Sequence, residues 1–300
     1  MISIVTPSYN QEAFLPFALQ SIASQRESAV IEHLVFDGGS TDGSANIIAT
    51  ASVPPDYWTS GRDGGQSNAI NSGMTRAKGD ILCWINSDDG LAPGAAARMQ
   101  AALGDCKGPA WAVGGCQIIG EEGEEFGHWR PEHGKHDELA GILHWSRNYL
   151  MQPAVFWNRA MWEQAGPLVA DLHLCMDFDL WMRFFNIAKP VLVEGDIGIH
   201  RRQGESKTSL VGAEIFAEYR RAIHLRLGHD KRLKKIALRD VAGQAAKAGN
   251  AAMFLRNRKL SRQCLSEAVK STSSAVFEPH FLKAVVKQIG IFPGPSGLPR

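Results

Sequence analysis

Residues 79–90, GDILCWINSDDG, constrain the fold of this chain more than any other stretch. The apolar run from Ile81 to Ile85 has the length and bulk of a strand buried on both faces, and it stops at once on Asn86, Ser87, Asp88 and Asp89. A strand buried on both faces belongs to a sheet covered by helices. In open α/β folds, ligands bind beyond the carboxyl ends of such strands, so the acids are delivered to a binding edge. Two adjacent carboxylates repel each other unless a cation or hydrogen-bond donors sit against them, which points to a divalent metal holding a phosphate. The plainer alternative is that Asp88 and Asp89 cap a following helix that carries Pro93 in its first turn.

The segments before this strand repeat its logic. Residues 2–5 read as a strand broken by Thr6-Pro7-Ser8-Tyr9-Asn10, and Phe14, Leu15, Ala18, Leu19 and Ile22 recur at helical spacing. A second strand, 32–36, ends at Asp37-Gly38-Gly39-Ser40-Thr41-Asp42. Strand, helix, strand implies a parallel pair with a right-handed crossover. The glycines permit close approach of a ligand, and Asp37 can accept hydrogen bonds from a base or ribose, whereas Asp42 reads as a helix cap. A short strand at 57–59 precedes Arg62-Asp63-Gly64-Gly65-Gln66 and a further helix. Three strand ends, at Thr6, Asp37 and Asn86, thus converge on one sheet edge.

ISIVTPSYNQEAFLPFALQSI, EHLVFDGGSTDGS, SGRDGGQSNAINSGMTRAKGD and ILCWINSDDGLAPGA, in this order and spacing, resemble an inverting family-2 glycosyltransferase with the GT-A fold. The resemblance implies an α/β chain with a mixed, mostly parallel central sheet flanked by helices. It implies transfer of a sugar from a nucleotide-diphosphate donor, most commonly a UDP-sugar, to an acceptor hydroxyl, with Mn2+ or Mg2+ on the diphosphate. Carried over by position, Thr6, Pro7 and Tyr9 border the nucleotide, Asp37 holds the base or ribose, and Arg62 and Asp63 line the same pocket. Asn86, Ser87, Asp88 and Asp89 fall on the donor and metal motif. The chain departs from the family pattern at Gly38 and Asn86, where an acid is common.

In the second half, residues 112–119 read as a strand and Glu121, Glu122, Glu124 and Glu125 as a solvated hairpin tip. His128, His133, His136 and His144 lack the partners of a zinc site, so a mobile loop near the substrate is the expectation there. Residues 152–156 read as a strand and 159–166 as a helix. LHLCMDFDLWMRFF, 172–185, reads as a largely buried helix with Asp177 and Asp179 at its start, where the helix dipole favours carboxylates. The resemblance places Asp177 on the catalytic base, with Met176 replacing the family's usual Glu. A strand at 191–199 then runs into His200-Arg201-Arg202. The resemblance makes His200 a third metal ligand, and Arg201, Arg202 and Lys207 are candidates to clamp phosphate oxygens.

Beyond residue 211 the strand signals end. We expect a catalytic domain over 1–211, with a nucleotide-binding half at 1–105 and an acceptor-binding half at 106–211. A helical extension over 212–291 and a disordered tail over 292–300 follow. In the extension, Ala245, Ala248, Gly249, Ala252, Phe254, Leu255, Leu260, Cys264, Leu265 and Ala268 share helical spacing, like a pair of antiparallel helices. Its excess of Lys and Arg is either a solvated face or a peripheral contact with anionic lipid, and the second fits the carbohydrate or lipid-linked acceptor that the resemblance implies. A formal charge of +1 gives no global drive towards nucleic acid. Five scattered cysteines read as reduced thiols, and no run reaches the length of a membrane span. The expected setting is the cytoplasm, at the inner face of the membrane.

Competing readings fall short on particular residues. A dinucleotide-binding enzyme would need Gly-x-Gly-x-x-Gly where Thr6-Pro7-Ser8-Tyr9 stands, and a nucleotidyltransferase a Gly- and Lys-rich loop in the same place. A non-catalytic nucleotide-sugar-binding scaffold of the same fold is the alternative motivated by Gly38, Asn86 and Met176.

Overall fold

The computed structural model describes residues 1–203 and 212–289. The chain divides into two compact units, one of Met1–Ile142 with Tyr149–Ser206, the other of Leu143–Asn148 with Lys207–Arg300. Lys207 itself lies outside the described residues.

The first unit is a mixed sheet with helices packed on it. Its first half alternates β1 (Ile2–Ser8), α1 (Leu15–Ser24), β2 (Ile31–Asp37), α2 (Ser44–Ala49), β3 (Tyr57–Ser60), α3 (Gln66–Arg76) and β4 (Ile81–Trp84). These four strands are parallel in the order β3-β2-β1-β4. Every residue of β1 and β4 is buried, as the apolar runs require. Next come β5 (Gly90–Leu91), α4 (Ala95–Leu103), β6 (Trp111–Ile119), β7 (Glu125–Trp129), α5 (Leu139–Ile142), and, after residues of the other unit, β8 (Val155–Asn158), α7 (Arg159–Ala165), α8 (Met176–Phe185) and β9 (Val191–Arg201). The path continues β4-β8-β6-β9-β5, with β7 on β6; of these pairs only β6 and β9 run parallel.

Three local expectations shift. Gln152–Ala154 is a single 3-10 turn and the strand starts at Val155, because Pro153 has no N–H to give to a ladder. Pro93 precedes the first turn of α4, whose cap is Gly94 in the left-handed region at φ 70°. Of the stretch between Phe126 and Trp145 expected as a loop, the part up to Trp129 belongs to the strand β7.

The core between sheet and α8 is aromatic. The Trp181 ring stacks parallel to Trp84 at 5.8 Å and to Trp111 at 6.0 Å, with Trp157 packed edge-on and Phe184 tilted beside it. Trp84 is the last residue of β4. Side chains four apart on a helix lie on one face, so Asp177 sits one turn from Trp181 towards the start of α8.

The second unit contains α6 (Trp145–Asn148), α9 (Glu214–Arg226), α10 (Lys231–Phe254), α11 (Arg258–Ser271) and α12 (Pro279–Ile289). Ala242, Ala245, Ala246, Ala268 and Ala275 form its core, with Phe216 and Phe281 against them, so small side chains bring these helices close together. Ser146 donates its backbone N–H and hydroxyl to Asp240. The expected apolar stripe departs at one end: Phe254 and Leu255 are 69% and 80% exposed.

Candidate active site

Beyond the carboxyl ends of β1 to β4 the loops are tied to one another. Asn10 accepts the Thr41 N–H and donates its own to Ser40 Oγ; Gln11 N–H donates to Ser44 Oγ, and Glu12 bonds Gly43. Asp42 accepts from both Glu12 N and Ser44 N, while the cap position of α2 is Gly43, one residue later than expected. Asp37 is 1% exposed and accepts from Gly39 N, Ser40 N, Ser40 Oγ and Ser60 Oγ. Its carboxylate shapes the 38–40 turn. Thr6 is fully buried, its hydroxyl paired with His33 Nε2, and burial drives the His33 pKa down to about 3. Pro7 is also buried, so of the first group Tyr9 alone offers an exposed side chain, 59% accessible.

Tyr9 and Asp63 face each other across Gly38. A Cβ at Gly38 would stand 3.2 Å from Asp63 Oδ2 and 3.4 Å from the Tyr9 ring. An acid at position 38 would therefore press against Asp63, which accounts for glycine there. Asp63 Oδ1 caps the turn at Gly65, and Arg62 is exposed beside it.

Around β4 the four polar residues divide their labour. Asn86 Nδ2 donates to Asp89 Oδ2 at 3.1 Å and to Gln152 Oε1 at 3.2 Å, while its Oδ1 accepts from Gln66 Nε2 at 2.8 Å. An acid at 86 would repel Asp89; the amide bridges instead. Ser87 is buried. Asp89 is 2% exposed and also accepts from His200 Nδ1 at 2.9 Å and Arg201 N at 3.1 Å. Asp88 accepts from Gln203, and its pKa is pushed up to about 6, by burial first and the charge of Asp89 second. Burial works against a charged imidazole at His200, yet Asp89 and Asp88 outweigh it and raise its pKa.

Among the described residues no three His, Cys, Asp or Glu side chains are gathered as metal ligands. Of the expected set of Asp88, Asp89 and His200, Asp89 accepts hydrogen bonds at both of its oxygens. What fits a cation is the Asp88 carboxylate and His200 Nε2, with Asp89 behind the imidazole. Because a carboxylate accepts from Nδ1, Nε2 of the neutral ring carries the lone pair. Two protein donors suit an ion that takes its remaining ligands from phosphate and water. Arg201 does not clamp phosphate: it is 6% exposed, donates to the carbonyls of Asp88, Gly120 and Glu121, and lies 4.7 Å from the Phe17 ring. Arg202 is exposed.

The start of α8, which carries Asp177, touches α3 at Met176. Ser67 Oγ lies 3.0 Å from Met176 Sδ, and the neighbouring Gln66 reaches Asn86. Asp177 is half-buried, accepts from Phe178 N at 2.7 Å, and burial pushes its pKa up to about 6. Asp179 is fully buried and paired with Arg183 at 3.0 Å, so it is an internal brace. The histidines of the 128–136 stretch disperse. His128 pairs with Glu125 and Asp196, His133 with Asp137, and His136 accepts from Glu132 N. Sequence reasoning missed Gln66, Gln152 and Gln203; Gln66 stood within a quoted motif, but nothing local marks the other two.

The model of "Glycosyl transferase family 2" matches residues 3–161, more than half of the chain. The chain belongs to glycosyl transferase family 2. An uncharacterized glycosyltransferase of Mycobacterium tuberculosis (strain CDC 1551 / Oshkosh) is 34% identical over 123 residues, 40% of this chain and 47% of that protein. The chain thus spans about half the length of that relative. The undecaprenyl-phosphate 4-deoxy-4-formamido-L-arabinose transferase of Shewanella sediminis is 39% identical over 93 residues, 29% of this chain and 28% of that one. Among solved structures, S. aureus TarS 1-349 in complex with UDP-GlcNAc superposes with a TM-score of 0.65 at 13% identity, covering 97% of this chain and 91% of that one. Glucosyl-3-phosphoglycerate synthase from Mycobacterium tuberculosis, with Mn2+, UDP and phosphoglyceric acid, gives 0.51 at 17% identity over 77% and 80%. The fold is that of the GT-A glycosyltransferases, as expected from the motifs, with helices appended.

Proposed function

We propose that this family-2 glycosyltransferase inverts the anomeric centre of a nucleoside-diphosphate sugar, a UDP-sugar, in a metal-assisted transfer to an acceptor hydroxyl. The observation that supports the reading is that α3 touches both the residues after β4, through Gln66-Asn86, and the start of α8, through Ser67-Met176, while His200 pairs with Asp89. The nucleotide lies against Tyr9, Gly38, Arg62 and Asp63. Asp88 and His200 would hold the cation, Mn2+ or Mg2+, which would supply positive charge against the leaving diphosphate. Asp89 fixes the His200 ring and keeps its Nε2 outward. Asp177 takes the acceptor proton as the new bond forms, a contribution of about 100- to 10,000-fold. A carboxyl group titrating near pH 6 is a stronger base than an ordinary aspartate and is still ionised at neutral pH. Retention would need a second carboxylate facing the sugar, and Asp179 is spent on Arg183.

The acceptor is a carbohydrate or lipid-linked sugar, in polysaccharide or glycolipid assembly at the cytoplasmic face of a membrane. The similarity to a transferase named for undecaprenyl phosphate supports this, as do five free cysteines. No helix among the described residues is long and apolar enough to cross a membrane. The test is a panel of nucleotide sugars scored by thermal stabilisation with and without manganese, then turnover of the best donor. Asp177→Asn is expected to retain the donor-induced shift and lose transfer. Undiminished transfer by Asp177→Asn removes the base from this mechanism.

A further inference from the structure

The turn between α10 and α11 carries an apolar pair at its tip, framed by cations. Phe254 and Leu255 are adjacent, and Leu255 is the most exposed large hydrophobic among the described residues. All residues from Phe254 to Lys259 are exposed. Single exposed hydrophobics are ordinary, but a contiguous pair at the apex of a helical hairpin is not required by packing. The turn is well made. Asn257 N–H bonds the Ala252 carbonyl and Arg256 N–H the Met253 carbonyl, the two closing bonds of a Schellman motif, and Asn257 caps α11 by accepting from Leu260 N. Arg256 occupies the left-handed position at φ 55°, where glycine is usual. The pair is therefore held out by a defined turn, not by fraying.

The charge around it has one sign. Between Asp240 and Glu267 the sequence has no acid, while Lys247, Arg256, Arg258, Lys259 and Arg262 fall in that interval. From α12, Lys287 places its ammonium 3.1 Å from the Phe254 ring centroid, and α12 contains no acid either. Among the described residues Arg256, Arg258, Lys259 and Arg262 make no ion pair. Unpaired cations on a water-filled surface need no partner; unpaired cations encircling exposed phenyl and isobutyl groups match a surface that is anionic outside and apolar beneath. Nucleic acid would use the cations and the ring but has no place for Leu255.

We propose that the 254–259 turn docks on an anionic lipid bilayer, inserting Phe254 and Leu255 below headgroups that Arg256, Arg258 and Lys259 bind. The proposal extends the membrane setting of the function above, yet its test reads lipid binding without turnover, so either can fail alone. The full chain is floated with phosphatidylcholine vesicles with and without phosphatidylglycerol. Binding is expected only with the anionic lipid and falls as salt rises. Phe254→Ser with Leu255→Ser, which leaves the charge unchanged and whose melting temperature is measured beside the parent's, is expected to weaken partitioning by about tenfold or more. In a Cys106→Ser background, which removes the exposed native thiol, an environment-sensitive dye on Leu255→Cys is expected to shift to the blue on adding vesicles. No binding to the anionic vesicles, equal binding by the double serine variant, or tighter binding to a double-stranded oligonucleotide than to vesicles overturns the proposal.

Discussion

Asp88→Asn separates the two demands placed on the site, because the residue that would hold a cation is also one whose charge is disfavoured by burial and by Asp89. Asp88 titrates at about 6 against an ordinary 3.8, with burial and the Asp89 charge as the causes. A difference of about two units is roughly 3 kcal/mol against the ionised form. Water access and coupling to Asp89 reduce this, so a net penalty on the order of 1–2 kcal/mol at neutral pH is the working figure. The sign follows from proton binding: between about pH 4 and 6 the folded state binds more protons than the unfolded one, so the penalty is absent below that window and complete above it. Asparagine keeps the acceptor for Gln203 and carries no charge. The variant is expected to melt about 3–6 °C above the unsubstituted protein at pH 8 without metal, in a unit of roughly two hundred residues. Its advantage shrinks as pH falls through 6 towards 4. Adding manganese and a nucleoside diphosphate should raise the melting temperature of the unsubstituted protein and leave the variant where it was. Calorimetry across that pH range checks both halves. A variant less stable than the parent at pH 8, or a difference that does not change with pH, refutes the account of Asp88 as a strained anion.

Asp89→Ala should do the opposite: it strips acceptors from His200, Arg201 N and Asn86, and at about 1–3 kcal/mol per buried group left unpaired the unit loses roughly 3–5 kcal/mol in denaturant titrations. In the same variant the His200 pKa, followed by NMR, should fall, since Asp89 is the main group raising it. With the cation saturating, so that Asp88 stays ionised, the logarithm of kcat/KM should rise with unit slope below pH 6 and flatten above it, because Asp177 must be ionised to act; a profile flat down to pH 5 contradicts that role.

The sheet-edge location was legible because it depends on short-range order. An apolar strand that stops on polar residues, repeated at β1, β2 and β4, needs no knowledge of distant contacts. The helix bearing Asp177 was legible from its periodicity, though not its seating, which the stacking of Trp181 between Trp84 and Trp111 decides. Roles inside the site were least legible. Asp37, Asp89 and Arg201 have the chemistry of ligand-binding residues, but near neighbours consume their hydrogen-bonding capacity.

The sequence by itself determined the alternation of strands and helices, the family, and which loops carry acids, because hydrophobic period and turn chemistry are properties of neighbouring residues. Only the tertiary structure decided which carboxylates are spent and which stay open. Asp88 and Asp89 are adjacent in the chain and chemically identical. One is left at the rim with Gln203, while the other is enclosed by His200, Arg201 and Asn86, partners brought by β9 and by the turn after β4. Burial and hydrogen bonding set what a carboxylate can do, and both are fixed by residues more than a hundred positions away.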